Sequence, residues 1–261
     1  MPRFVYASPI LPGKSELVRH VYAHMKEHPE LDRDTQQFNQ LVGLDSWQSW
    51  LQKTPSRDYF IHAMEAKSVE DLFNKLQEQI LPGHPRAQWL RDFYLDILGK
   101  DYAHYSAMPD IELLIDIDIP IMHADQSEIQ SRAFVWPIRP NRLHDHREFC
   151  RQCAGEYRYR VHDALRQFGI TKSVRYLQKT SHQDYLVVYQ ELLVRTPELE
   201  VQMRKADQSN PSWLWLSSVL SAHTGLTSEQ LTPQVTSLTR QPISVPTAVV
   251  NPWRAPAVAL T

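Results

Sequence analysis

The chain has 261 residues, 42% of them hydrophobic and 22% charged, with a net charge of −2, the balance of a globular protein able to bury a substantial core. Lysine and arginine are scattered along it, so no basic field favours nucleic acid or an anionic membrane as partner. Seven glycines, none in a phosphate-cradling loop, leave the Gly-rich nucleotide-binding folds without support. The opening MPRFVYASPI lacks the apolar run of an export signal, and no stretch reaches the roughly 18 apolar residues of a membrane span. Cys150 and Cys153 are the two cysteines; on one helix they would be neighbours along a face, a poor arrangement for a structural disulfide. A cytoplasmic protein is expected.

In chain order, Phe4 to Ser8 is a short apolar run closed by proline, which suits a strand. Lys14 to Glu27 carries Leu17, Val18, Val21, Tyr22 and Met25 at helical spacing. Ser46 to Gln52 and Tyr59 to Glu65 read as strands around the polar turn Lys53 to Asp58. Helices follow at Ser68 to Gln79, with Ser68 as N-cap, and at Pro85 to Leu98. Ile111 to Ile119 alternates apolar and acidic residues and reads as the closing strand of this first stretch. The order then begins again. Ala133 to Pro137 suits a strand, a broken helix runs from about Arg142 through Tyr157 to Phe168, and strands are expected at Ser173 to Gln178 and Tyr185 to Glu191. Helices at Pro197 to Ala206, behind Thr196, and at Pro211 to His223 precede a short strand within Pro233 to Leu238.

The second series matches the first residue by residue. Trp50-Leu-Gln-Lys-Thr54 recurs as Tyr176-Leu-Gln-Lys-Thr180, 126 positions on (52 to 178). At that spacing Gly43 answers Gly169, Asp58-Tyr59 answers Asp184-Tyr185, Pro85 answers Pro211, Trp89-Leu90 answers Trp215-Leu216 and Gly99 answers Gly225. Nearer the start, Pro9-Ile-Leu-Pro-Gly-Lys14 answers Pro137-Ile-Arg-Pro-Asn-Arg142 at a spacing of 128 (9 to 137). Agreement over separated elements in one order predicts an internal duplication. Residues 1–125 form the first ferredoxin-like repeat, 126–240 the second, and 241–261 a strap with prolines at 242, 246, 252 and 256. A β-α-β-β-α-β unit leaves one sheet face bare. Two units in tandem can cover each other, so an α+β barrel built within one chain is expected.

The pattern P-x-x-P-G-K, a helix, and then G-x7-LQKT-x3-DY resembles the dimeric α+β barrel superfamily, including antibiotic biosynthesis monooxygenase-like domains. It is also similar to a family of small bacterial ferredoxin-like proteins without an assigned activity. The resemblance covers both repeats and implies the fold. Superfamily members include cofactor-free oxygenases, haem-degrading enzymes, haem proteins, isomerases and proteins with no known activity, so a fold-level likeness leaves the function open.

Chemistry is most concentrated in Leu143 to Cys153, where His146, Cys150 and Cys153 fall at i, i+4 and i+7 on one helix face. Imidazole and thiolate are ligands for zinc and other late transition metals. The same cysteines also suit a core as small hydrophobes, because the first repeat has Val18, Tyr22 and Met25 at these places. His62 lies on the strand face of Phe60 and Met64, where its counterpart is Val188. It can act as a base or bind haem, or serve as a satisfied core histidine. His84 and Asn210, each before a proline, suit helix caps, and His182 and His223 carry no distinguishing context. The tryptophans can line a planar-ligand pocket or fill the core, and the recurrence of Trp89 and Trp215 favours packing. Asp116 and Asp118 suit the wet face of an amphipathic strand better than acid–base work.

These readings predict a small apolar or aromatic ligand held between sheet and helices. His62 and His146 are the candidate catalytic residues for a cofactor-independent oxygenase or isomerase. The alternatives are a haem protein with His62 or His146 as axial ligand, a transition-metal protein using His146, Cys150 and Cys153, and a non-catalytic assembly module. In the last, the proline-rich tail joins copies into a homo-oligomer.

Overall fold

The computed structural model describes residues 3–80, 83–101, 110–120, 129–181, 183–193, 210–231, 233 and 235–239. The helix expected over 197–206, its cap Thr196, His182 and the tail from 241 lie outside them. The first half runs β1 (Arg3–Pro9), α1 (Ser15–Glu27), α2 (Pro29–Val42), β2 (Leu44–Gln52), β3 (Tyr59–Ala66), α3 (Val69–Ile80), α4 (Pro85–Leu98) and β4 (Asp110–Asp118). The second runs β5 (Ile129–Pro137), α5 (Leu143–Ala154), α6 (Arg158–Arg166), β6 (Ile170–Lys179), β7 (Tyr185–Leu193), α7 (Pro211–Thr224), a 3-10 turn at Glu229–Leu231 and β8 (Val235–Ser237). No helix among the described residues is long and apolar enough to cross a membrane.

Local chemistry sets the helix limits. The Ser68 hydroxyl accepts the Asp71 N–H at 3.1 Å at the start of α3. His84 and Asn210 cap α4 and α7 ahead of proline: His84 Nδ1 accepts from Arg86 N, and Asn210 Oδ1 accepts from Ser212 N and Trp213 N. Both helices stop at a left-handed residue, Gly99 at φ 65° and Gly225 at φ 81°, which only glycine adopts without steric cost. Helix α2 is not expected from the sequence. Among its described side chains Thr35, Phe38 and Val42 are buried while Leu41 is exposed, so its apolar stripe is too thin to stand out.

The strands form two four-stranded sheets, ordered β1-β3-β2-β8 and β4-β6-β7-β5, with every pairing antiparallel. The acidic strand β4 does not close the first half's sheet, as its place in the chain suggests. It pairs with β6 of the second half from Asp110↔Lys179 to Asp118↔Lys172, while β8 returns to β2 through Trp50↔Ser237. Element order specifies that a fourth strand exists, not which edge it joins. Charge here agrees with the edge taken: Lys172 Nζ lies 3.0 Å from Asp116 and 2.7 Å from Asp118, and Arg147 of α5 pairs with Glu112. Each such exposed pair contributes under about 1 kcal/mol.

Three apolar layers result. Phe4, Tyr6, Phe60 and Met64 face α1–α4, Phe134, Leu177, Leu186 and Val188 face α5–α7, and Val5, Ile61, Trp50, Val135, Tyr176 and Val187 fill the space between the sheets. The chain is thus an α+β barrel of two ferredoxin-like halves. Strands covered on both faces are buried almost continuously, as along β3 and β7.

Edge strands β1 and β5 are completed by side chains. The Gln178 carboxamide accepts the Ala7 N–H and donates to the Ala7 carbonyl, both at 2.8 Å. Gln52 does the same to Val135, at 2.6 and 3.1 Å. Tyr176 Oη donates to the Arg3 carbonyl at 2.6 Å, and Trp50 Nε1 donates to the Ser131 carbonyl at 3.3 Å. Every partner in the first set is the counterpart of one in the second, so the recurring W/Y-L-Q motif is a pseudo-symmetric clamp between the sheets. Replacing either glutamine by leucine orphans a buried N–H and a buried C=O, at roughly 1–3 kcal/mol each. Gln52→Leu and Gln178→Leu are each expected to lower the unfolding free energy by about 2–4 kcal/mol in urea titrations. Losses below about 1 kcal/mol in both would remove the amides from the energetics of the interface.

Candidate functional site

The second half gathers the polar chemistry. Helix α5 turns His146, Phe149, Cys150 and Cys153 inward, and all four are buried. Beneath it, β6 alternates so that Leu177 joins the helix-side layer while Val174 and Tyr176 join the layer between the sheets. Arg175 falls on the helix side with Leu177, although its cross-strand neighbours there are Ile115 and Val188. At the last turn of α7, His223 places Nδ1 3.1 Å from His146 Nδ1. One nitrogen of that pair must carry the proton that the other accepts.

Electrostatics keeps these groups neutral around one charge. Burial lowers the His146 pKa to about 2, aided by Arg175 and His223. Burial also lowers His223, against the pull of Asp145. Burial raises Cys150, and raises Cys153 to about 12, so both remain thiols. Arg175 is 2% exposed and is the one Asp, Glu, Lys or Arg among the described residues that is buried. Its charge lies close enough to the Cys150 thiol to oppose part of that rise, while Nε and Nη1 are buried with no hydrogen-bond partner among the described residues. His146 Nε2 and the hydroxyl of Ser173, two residues before Arg175, are likewise buried without partners.

Above this layer a cleft of about 360 Å³ lies between α5 and α7, lined by residues including Asp145, Phe149, Tyr157, Trp215, Val219 and His223. Trp215 meets Tyr157 edge-on at 5.1 Å and lies beneath Arg160. Trp89, its counterpart, is 36% exposed, stacked on Phe93 and covered by Arg86. Packing thus holds for Trp215, which is partly buried against the second half's core beside Phe149, whereas Trp89 lies at the helix surface.

His62 lies in the other half, apart from His146, so the two candidate catalytic residues do not share a site. It is fully buried among Tyr6, Phe60 and Tyr94. The Trp47 indole can only donate, and does so to His62 Nδ1 at 3.0 Å. The Ser49 hydroxyl also meets Nδ1 at 3.0 Å, backed by Tyr22, and Tyr94 Oη lies 3.5 Å from Nε2. Both nitrogens thus face protein partners. Among the described residues no group of three or more His, Cys, Asp or Glu side chains is arranged to hold a metal ion. His146, Cys150 and Cys153 line one face of α5 without converging. Asp116 and Asp118 are exposed and paired with Lys172.

Arg175 and His223 do not emerge as candidates from the sequence. The signal for Arg175 is there: a charged residue stands on an inward-facing strand position where the first half has Ser49. His223 replaces Ile97 in the same way.

Burial holds the His62 pKa near 3. An imidazole whose pKa is lower in the folded than in the unfolded chain binds protons better when unfolded. Its contribution is complete above the unfolded value near 6.5 and is lost as pH falls from there toward the folded one. Between about pH 7 and 5 the unfolding free energy should therefore fall, by up to ~1.4 kcal/mol per pH unit for each such histidine. His62→Gln, which keeps an acceptor for Trp47, should be less stable at neutral pH but flatter in this range. Urea unfolding across the range measures both slopes, and parallel slopes would contradict the assignment.

No family model matches the chain, and no curated protein matches it. Two solved structures are similar over most of its length. A monooxygenase candidate from Fusobacterium nucleatum subsp. nucleatum ATCC 25586 is 7% identical with a TM-score of 0.43, covering 90% of this chain and 88% of that one. An anthrone oxidase-like protein is 8% identical with a TM-score of 0.45, covering 90% of this chain and 92% of that one.

Proposed function

We propose that the second half binds a small, largely apolar or aromatic molecule in the cleft between α5 and α7, and that His223 moves a proton on it. The observation that carries this reading is the contact between His223 Nδ1 and His146 Nδ1 at the edge of the cleft. His223 lines the opening, and His146 behind it is fully buried. A neutral imidazole pair beside an aromatic-lined cleft can take a proton from an acidic C–H or O–H and return it elsewhere on the ligand. Asp145, which favours the charged form of His223 and lines the same cleft, supports a transient imidazolium there. Abstraction of this kind opens both isomerisation and cofactor-independent oxygenation.

Divergence between the halves supports the same reading. His146, Cys150, Cys153, Arg175 and His223 stand where the first half has Val18, Tyr22, Met25, Ser49 and Ile97. We take the halves as products of a duplication, with the working pocket retained in the second and His62 serving a satisfied core in the first.

The test uses small aromatic enols and phenols, with tryptophan fluorescence for binding and solvent-deuterium exchange for proton transfer. Trp215→Ala is expected to weaken binding at least about tenfold by removing the aromatic wall. His223→Ala should still bind but exchange deuterium roughly 100-fold more slowly, the lower end of what a positioned base contributes. Exchange that is unchanged in His223→Ala would overturn the reading.

A further inference from the structure

We infer that Arg175 assigns the ligand's class: a small aromatic molecule carrying an anionic oxygen, a carboxylate in the simplest case. The inference rests on the reading of the α5–α7 cleft as a small-molecule site and deepens it. A guanidinium that is 2% exposed has lost its hydration, and isolated buried charge is strongly unfavourable unless an opposite charge or a full set of hydrogen bonds compensates it. Among the described residues neither is present. Two of its nitrogens have no partner among the described residues, and the groups around it are His146, His223 and two thiols; Ser173, two residues back along the same strand face, has an unpartnered hydroxyl.

Among the described residues, carboxylates of the neighbouring β4 and α5 have other partners. Glu112 is paired with Arg147, Asp116 and Asp118 with Lys172, and Asp145 with Arg142. Other guanidiniums illustrate the usual solution: Arg3 spans Glu65 and Glu191, and Arg91 grips Asp101. Arg175 instead lies close to the histidine pair, of which His223 borders the open cleft. The first half has Ser49 at this position, satisfied by His62 and Tyr22, so the fold does not require a cation there. An anionic oxygen entering past His223 would meet unpaired N–H donors of Arg175 and the Ser173 hydroxyl, the donor set that recognises carboxylates and related oxyanions. Phe149, Tyr157 and Trp215 would cover its ring.

The experiment compares 2-naphthoate with its neutral isostere 2-naphthamide by calorimetry on the full chain. Wild type is expected to bind the acid at least tenfold more tightly than the amide, and Arg175→Met to lose that preference while still binding the amide. Urea unfolding of Arg175→Met is expected at the same or a higher midpoint, because the variant removes an uncompensated charge. Should it not fold, Arg175→Lys replaces it, and the preference must fall below the wild-type ratio. Equal binding of acid and amide by wild type would overturn the anion assignment and leave the cleft reading standing. Binding of neither would overturn both. A preference that persists in Arg175→Met would assign the anion to another cation and also overturn the inference.

Discussion

A primary amide carries one donor end and one acceptor end, the same complement that a strand presents at its edge. Gln52 and Gln178 use that match to finish β5 and β1, whose outer edges have no strand partner among the described residues. An edge left open invites pairing with another chain, and buried backbone groups left unmade are costly. Here the two sheets close each other's edges, which makes the central apolar layer continuous across the barrel. With the inner faces committed to one another, the outer faces are left to the helices, and each becomes a separate compartment between sheet and helix layer.

Those compartments differ in opposite senses. The first contains an imidazole, an indole N–H and three hydroxyls that satisfy one another, so its polar atoms add definition to a packed core. The second contains an imidazole pair, two thiols and a guanidinium with donors to spare. Native interiors rarely tolerate such groups without use. The contrast also explains why an apolar counterpart is a poor guide by itself: His62 and His146 both stand opposite valine, yet one is satisfied by its neighbours and the other is not.

Much of the architecture is legible in the residues. Prolines, glycines and alternating runs mark most strands and helices, and Trp50-Leu-Gln-Lys-Thr54 with its echo reveals two like halves. Its physical meaning is hidden, because Gln52 and Gln178 act on strands more than 80 positions away: Val135 is 83 from Gln52 and Ala7 is 171 from Gln178. Helix α2 escapes notice for want of a full apolar stripe, and β4 is visible as a strand but not as a guest in the other sheet. At the site, the i, i+4, i+7 spacing of His146, Cys150 and Cys153 is readable. The approach of His223 and Arg175 depends on how α7 and β6 pack, which no local pattern encodes. Arg175 is also disguised by its surroundings in sequence, since an arginine in a strand ordinarily faces water.

The exchanged strands also bear on how the chain is made. Residues of β2 are synthesised long before Ser237, which pairs with Trp50, so the first sheet's second edge stays open until β8 has been made. The second sheet has no such wait, because β4 precedes β6 and is ready when β6 emerges. The first half must therefore spend that interval with an unprotected β2, and its residues Asp45, Ser46, Gln48 and Ser49 make that edge polar enough to discourage pairing with a neighbouring nascent chain.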